Sequence, residues 1–339
     1  MVHLRIVVPN HQSEHAMDLL RHTPSVCNLI YLERAAQKPE GDVILCDVAR
    51  EDASVIVSDL KELNVHIEGS IAMEDVDSQI SEAAKRAELA AEGLPTDAVV
   101  WEEVETRTSE NIELSASFLA FMVLAMLIAA VGILTDQLIL IIGAMVVGPE
   151  FGPIAGLSVA AVQRRGDLAR RSFVALAVGF PVGITCAFLG TLLLDGVDLI
   201  PDDFAQEGHP FTDFISSPDE FSVIVAFLAG LAGVLSLTNA KSGALVGVLI
   251  SVTTIPAAAN IGVAAALGDG EEWVGAMEQL AINLTAILLA CVGTLYIQRR
   301  LYMRRRRAHL HHSAREAAGL PLGHSRREGS ATYKRPADV

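Results

Sequence analysis

Six stretches of this chain are nearly free of charge: 118–134, 138–161, 172–194, 221–237, 244–268 and 274–297. Each reaches or approaches the roughly 17–25 apolar residues that a helix needs to cross a bilayer. The first 111 residues read differently, alternating between polar and apolar and carrying frequent charges. The pattern predicts a soluble N-terminal domain followed by six spans in two groups of three. Three is odd, so the second group enters the membrane with the opposite orientation. One span of each group is interrupted by proline near its midpoint, the first within residues 143–153, which hold Gly148-Pro149-Glu150 and Gly152-Pro153, and the second within residues 251–260, which hold Thr253, Thr254 and Pro256. Inverted repeats with helices broken at the bilayer midplane are the architecture of many secondary transporters.

Within the N-terminal part, strand signals fall at 3–8, 28–33, 42–48 and 65–73, and helical signals at about 13–23 and 52–63. Ser13 and Asp52 are the expected N-caps. The second helix places Ala53, Ile56, Val57, Leu60 and Leu63 on one face. The order strand, helix, strand, strand, helix, strand is that of a split βαβ, ferredoxin-like α+β domain. Residues 77–92 read as a charged amphipathic helix, and 96–117 as a connecting helix that runs into the first span. The expected organisation is a ferredoxin-like cytoplasmic domain at 1–76, a helical linker at 77–116, a six-span α-helical membrane domain at 117–298, and a basic, largely disordered cytoplasmic tail at 299–339.

Charge fixes the expected orientation. Of 25 Lys and Arg, nine lie in residues 1–111, four (Arg164, Arg165, Arg170, Arg171) between spans 2 and 3, Lys241 between spans 4 and 5, and eleven after span 6. The 195–220 loop holds eight acidic residues and no basic one. With both termini inside, every basic loop is cytoplasmic, as the positive-inside bias requires. No signal peptide is visible at the start. The expected location is therefore the plasma membrane, multi-pass. The net charge of −16 argues against nucleic acid as a partner. Cys27, Cys46, Cys186 and Cys291 lack metal or redox spacing and read as small apolar residues. His309, His311 and His312 lie in the tail and read as solvated, so no metal and no cofactor is expected.

The candidate chemistry lies at the breaks. Proline removes a backbone donor and clashes with the preceding turn. Broken backbone at that depth is tolerated only where it is buried in protein or lines a watery cavity. Gly148, Pro149, Glu150, Gly152 and Pro153 in span 2, with Thr253, Thr254, Pro256 and Asn260 in span 5, form the expected substrate or ion site. Glu150 is the sharpest residue, because an ionisable group near the bilayer centre costs about 2.5–3.5 kcal/mol on insertion scales and is functional by default. Glu278 and Asn283 in span 6 are candidates for a proton or ion relay. Asn10, His11, Gln12 and Ser13 occupy the first strand–helix loop, where a cytoplasmic small molecule can meet a helix N-terminus. Small residues at Gly152/Gly156, Gly179/Gly183 and Gly243/Gly247 allow close helix approach within or between protomers, and a homo-oligomer is expected. The texts Gly132-Ile-Leu-Thr-Asp-Gln and Gly233-Val-Leu-Ser-Leu-Thr-Asn resemble each other and hint at the internal repeat.

The run Ile142-Gly-Ala-Met-Val-Val-Gly-Pro149-Glu-Phe-Gly-Pro153-Ile-Ala-Gly-Leu-Ser158, followed by Arg164-Arg165-Gly-Asp, resembles the hydrophobic domain of the family called domain of unknown function 389. Thr254-Ile-Pro256-Ala-Ala-Ala-Asn260 resembles its second signature. The resemblance covers about residues 113–300. It implies the membrane fold and location, with a soluble N-terminal domain as a usual companion, and leaves the substrate open. Where that family's pattern tends to carry an apolar residue between the two Gly-Pro pairs, this chain carries Glu150. Three function classes follow. The first is a carrier or channel for a small solute or ion, regulated by the cytoplasmic domain. The second is a membrane-anchored sensor of a cytoplasmic metabolite, such as a nucleotide or amino acid. The third, a membrane enzyme, ranks last and the chain is not expected to be one, because no H-E-x-x-H, nucleophile elbow or P-loop is present.

Overall fold

The computed structural model describes residues 1–76, 78–91, 98–200, 215–217, 219–238 and 254–325. The chain divides into two compact units, Met1–Val104 with Gln298–Val339, and Glu105–Ile297.

The first unit is built on an antiparallel four-stranded sheet. Strands β1 (Val2–Val8), β2 (Val26–Gln37), β3 (Glu40–Val48) and β4 (Ser70–Asp75) lie in the order β2-β3-β1-β4. Central strand β1 pairs Leu4 with Cys46 and Ile6 with Ile44 on one side, and Leu4 with Met73 on the other. Its alternation buries Val2, Leu4, Ile6 and Val8 on one face, as period-two patterning requires. Helices α1 (Ser13–Arg21) and α2 (Arg50–Glu62) cover that face with Ala16, Leu19 and Leu20, and with Ala53, Ile56, Val57 and Leu60. The predicted face of the second helix is thus the one the core uses.

The helix starts differ from those expected. Gln12 holds the N-cap position of α1, and Ser13 is its first residue, with its hydroxyl donating to the Pro9 carbonyl at 3.3 Å. Ala49 holds the N-cap position of α2, so Asp52 falls in the first turn. There its charge still suits the positive end of the helix. The expected strand over 65–73 is split. Asn64 turns left-handed at φ 62°, α3 (Val65–Glu68) makes one turn, and the strand begins only at Ser70. Gly69 permits this, since a Cβ there would stand 2.0 Å from the Val7 carbonyl oxygen.

This unit extends beyond residue 76. Helix α4 (Glu82–Ala90) is capped by Ser81, which accepts from Ala84 N–H at 3.3 Å, and its Ala84 and Ala87 pack on Cys27. At the start of α5 (Trp101–Asn111), Glu102 accepts from Ser54 at 2.7 Å and from Lys61 at 3.3 Å, while Glu103 pairs with Arg50 at 2.9 Å. The segment expected to be a disordered tail is helical to His309 and again over α13 (Ser313–Ala317). Ala314, Ala318 and Leu320 complete the core under the sheet. The sequence misled here because the residues after 298 are rich in Arg and His, and the apolar ones carry no visible period. The arginines serve a buried network instead. Arg306 and Arg315 each pair with Asp59, and they reach Glu62 at 2.5 and 2.8 Å, while His309 Nε2 stands 2.9 Å from Asp59. Residues 326–339 lie outside the described residues.

Glu51 is a poorly served acid in this unit's core. It is 4% exposed, and both its carboxylate oxygens are buried without a hydrogen-bond partner among the described residues. Burial pushes its carboxyl above the usual range, against the opposing charge of Arg305. A raised folded-state pKa means that the folded chain holds the proton more tightly. Stability is then lost as pH rises from the unfolded value of about 4.3 through the folded one. Glu51→Gln is expected to raise the thermal midpoint of the full chain at pH 7.5 and leave it nearly unchanged at about pH 4, as read in a melting series against pH.

The second unit is helical: α6 (Ala116–Leu134), α7 (Leu138–Val147), α8 (Phe151–Gln163), α9 (Gly166–Gly196), α10 (Glu220–Thr238), α11 (Thr254–Leu267) and the first part of α12 (Gly270–His309). Among the described residues, α6, α9, α10 and α12 are long and apolar enough to cross a membrane, and α7 with α8 make a fifth candidate span bent by 50°. The chain is a membrane protein with transmembrane helices. The expected sixth crossing, over 244–268, is represented by the shorter α11, and 239–253 lie outside the described residues. The Gly243/Gly247 pair and Thr253 fall there.

A tight turn at Thr135-Asp136-Gln137 joins α6 to α7, with Asp136 left-handed and Gln137 N–H bonded to the Gly132 carbonyl at 2.8 Å. Pro181 sits inside the continuous α9. The Gly179/Gly183 face of α9 meets α6, where added Cβ atoms would stand 2.9 Å from Phe118 and 2.3 Å from the Met126 sulfur. An approach of backbone to backbone joins α11 to α9. A Cβ on Gly262 would stand 2.7 Å from the Ile184 carbonyl oxygen and 2.9 Å from Ala187 Cβ. Backbone cannot yield as a side chain can. Gly262→Ala is expected to cost about 1–3 kcal/mol by overpacking, seen as a lowered melting temperature in detergent.

Candidate functional site

The bend between α7 and α8 falls at Gly148-Pro149-Glu150. Gly148 is extended at φ −62° and ψ 129°, ending α7, and Glu150 holds the N-cap position of α8. Pro149 offers no N–H, so the ladder cannot run through the joint. Helix geometry leaves the last carbonyls of α7 and the first N–H groups of α8 without intrahelical partners. Pro153 lies in the first turn of α8, where proline is tolerated, and does not break the span. The break in span 2 is thus single, made by the first of the two Gly-Pro pairs.

Glu150 is 1% exposed. Its Oε1 accepts from the Thr254 hydroxyl at 3.0 Å, and its Oε2 is buried with no hydrogen-bond partner among the described residues. Gly148 makes room for the carboxylate, since a Cβ there would lie 2.4 Å from Oε2 and 2.7 Å from Ile255 Cγ1. Thr254 and Ile255, at the start of α11, are fully buried against the joint. The N-terminal end of α8, whose dipole favours a negative group, therefore carries a carboxylate with one oxygen held and one buried without a partner among the described residues. That arrangement can take a proton, or offer one ligand oxygen to a cation.

The remaining expected residues divide. Pro256 lies in the first turn of α11 and makes no break within the described helix. Asn260 is 3% exposed with its Oδ1 unpartnered, yet it stands six residues beyond Thr254. At about 100° per residue, that turns it to another face of α11, away from Glu150. Glu278 is exposed, whereas Asn283 is fully buried. Asn283 is instead paired with Gln279, which was not expected, through a bond of 3.4 Å, and Gln279 Oε1 is buried without a partner among the described residues. The i, i+4 spacing of two amides inside an apolar run was the available signal. In the first unit, Asn10 and His11 are exposed, with His11 4.0 Å from Glu68, and Gln12 Oε1 is buried and unpartnered. Ser13, Tyr31 and the Arg34 N–H all bond Asp42 beside this loop. Among the described residues no group of three or more His, Cys, Asp or Glu is placed to hold a metal ion. His309 is committed to Asp59 and stacks on His312 at 5.4 Å.

The family model described as "Domain of unknown function (DUF389)" matches residues 145–289, which contain the Glu150–Thr254 contact. It is the family that the two proline-containing runs resemble. An uncharacterized protein of Methanocaldococcus jannaschii is 27% identical over 195 residues, covering 57% of this chain and 58% of that protein. The chain thus spans a little over half the length of the curated relative it matches. No solved structure matches.

Proposed function

We propose that this chain is a membrane carrier or channel for a small solute or ion, with its site where the broken second span meets α11. The observation that carries the reading is the Glu150 carboxylate, buried at a helix break, held on one oxygen by Thr254 and without a partner on the other among the described residues. An intramembrane acid costs several kcal/mol unless it serves a path, and broken backbone at that depth belongs beside a cavity or a site.

The order of elements supports an inverted repeat. Helices α6, α8 and α9 begin at 116, 151 and 166, and α10, α11 and α12 begin at 220, 254 and 270, which is 104, 103 and 104 residues later. Pro153 and Pro256 each occupy the third position of their half-helix. Glu150 and Thr254 are themselves 104 apart. Equivalent positions meet on the pseudo-two-fold axis of an inverted repeat, so this contact is where such an axis would pass. Six spans, with the plasma membrane as location and both termini inside, complete the reading. The strand order β2-β3-β1-β4 supports a ferredoxin-like domain as its cytoplasmic regulator, and the chain is taken to work as a homo-oligomer without a cofactor.

The test is flux in proteoliposomes. Purified full-length protein is reconstituted, and efflux of a panel of monovalent cations, small anions and amino acids is followed, with a pH dye recording proton movement. At least one solute is expected to move faster than in protein-free vesicles. A panel in which nothing moves, including protons, contradicts the reading and favours a sensor.

A further inference from the structure

A groove of about 530 Å³ opens in the second unit between the approach to α6 and the first two turns of α9. Its walls include Leu114 and Val174, which are 42% and 39% exposed, and its rim carries Glu113, Asp167, Arg170 and Arg171. Both bordering segments change from charged to apolar at this point, α6 at Ala116 and α9 after Arg171. That change places the groove at a water–bilayer boundary whichever way the chain is oriented. The two acids on the rim are compensated by neighbours. Glu113 pairs with Arg171 at 3.1 Å and Asp167 with Arg165 at 3.2 Å, Arg165 also pairing with Glu105, and Arg170 has no ion pair among the described residues. An apolar wall exposed beneath an uncompensated guanidinium is costly in water and well matched to a molecule with an anionic head and a hydrocarbon tail.

We propose that this groove seats one anionic phospholipid of the adjoining leaflet, its phosphate on Arg170 and its first acyl methylenes on Leu114 and Val174. The guanidinium fork suits phosphate geometry. The inference stands apart from any transport activity.

The experiment is native mass spectrometry of the full-length protein, titrated with phosphatidylglycerol, phosphatidylethanolamine and phosphatidylcholine of identical chains. One phosphatidylglycerol per chain is expected at about fivefold lower lipid concentration than phosphatidylcholine, the preference that one basic side chain near a membrane surface supplies. Arg170→Gln, at an exposed position, is expected to fold normally and erase that preference. Glycerol phosphate, the head without its tails, is expected not to compete. Equal binding of all three lipids, tighter binding of phosphatidylethanolamine, an Arg170→Gln protein that keeps the preference, or displacement by glycerol phosphate would each overturn the proposal.

Discussion

Glu150→Ala and Glu150→Gln are both expected to reduce solute flux about 10- to 100-fold while leaving the protein folded. The range follows from the 1.5–3 kcal/mol that a solute's own bond to the charged carboxylate would contribute, converted at 1.4 kcal/mol per tenfold. The pair of variants separates charge from shape. Gln keeps the volume that Gly148 and Ile255 are fitted around, and it retains an acceptor for the Thr254 hydroxyl. It cannot carry a proton or face a cation as a carboxylate does. If charge is what the site uses, Gln fails as Ala does. Because an uncompensated buried charge is costly, the Gln protein is also expected to melt at a higher temperature than the wild type. Flux retained in the Gln variant would confine Glu150 to a structural role.

The second large effect lies in the first unit. Asp59 is fully buried and takes bonds from Arg306, Arg315 and His309. Burial alone would push its carboxyl up, but the His309 hydrogen bond and the two guanidinium charges outweigh it and hold the group below the usual carboxylate range. Asp59→Ala leaves Arg306 and Arg315 facing Glu62 alone. Removing one partner of a buried pair costs about 3–5 kcal/mol. The C-terminal segment, whose Ala314, Ala318 and Leu320 sit in the same core, is expected to become protease-sensitive, with cleavage after Arg304–Arg307 at protease levels that the wild type survives. The pH dependence has a defined sign. A depressed folded-state pKa gives stability that is present above the unfolded value near 3.9 and is lost as pH falls through it toward the folded value. The wild type should therefore shed this segment in acid, and the Ala variant should show less of that acid sensitivity.

Much of this architecture was legible in the residues. Period-two burial along Val2–Val8 and the apolar face of α2 followed from pattern, and so did the break at Gly148-Pro149, where missing N–H and missing Cβ coincide. Three features were not legible, each for a physical reason. A charge-rich C-terminal segment reads as solvated until its arginines are seen opposite Asp59 and Glu62, a pairing across some 250 residues that no local period encodes. Pro153 carries the same chemistry as Pro149, but a proline in the first turn of a helix breaks nothing. The similar texts at Gly132 and Gly233 gave a register of 101, whereas the helix starts recur at 103–104. Glu150 was legible as a buried acid; its partner Thr254 was visible only as one polar residue among several.

The central claim is that the Glu150–Thr254 crossing lies on a solute path. It is tested most directly by Thr254→Cys in a background where Cys27, Cys46, Cys186 and Cys291 are replaced, treated with a small membrane-impermeant thiol reagent in vesicles of either orientation. The account predicts modification from at least one face, slowed by whichever solute the flux panel identifies. A folded protein whose Cys at this position is never modified from either face would contradict it, and would leave the buried carboxylate as a structural contact between α8 and α11.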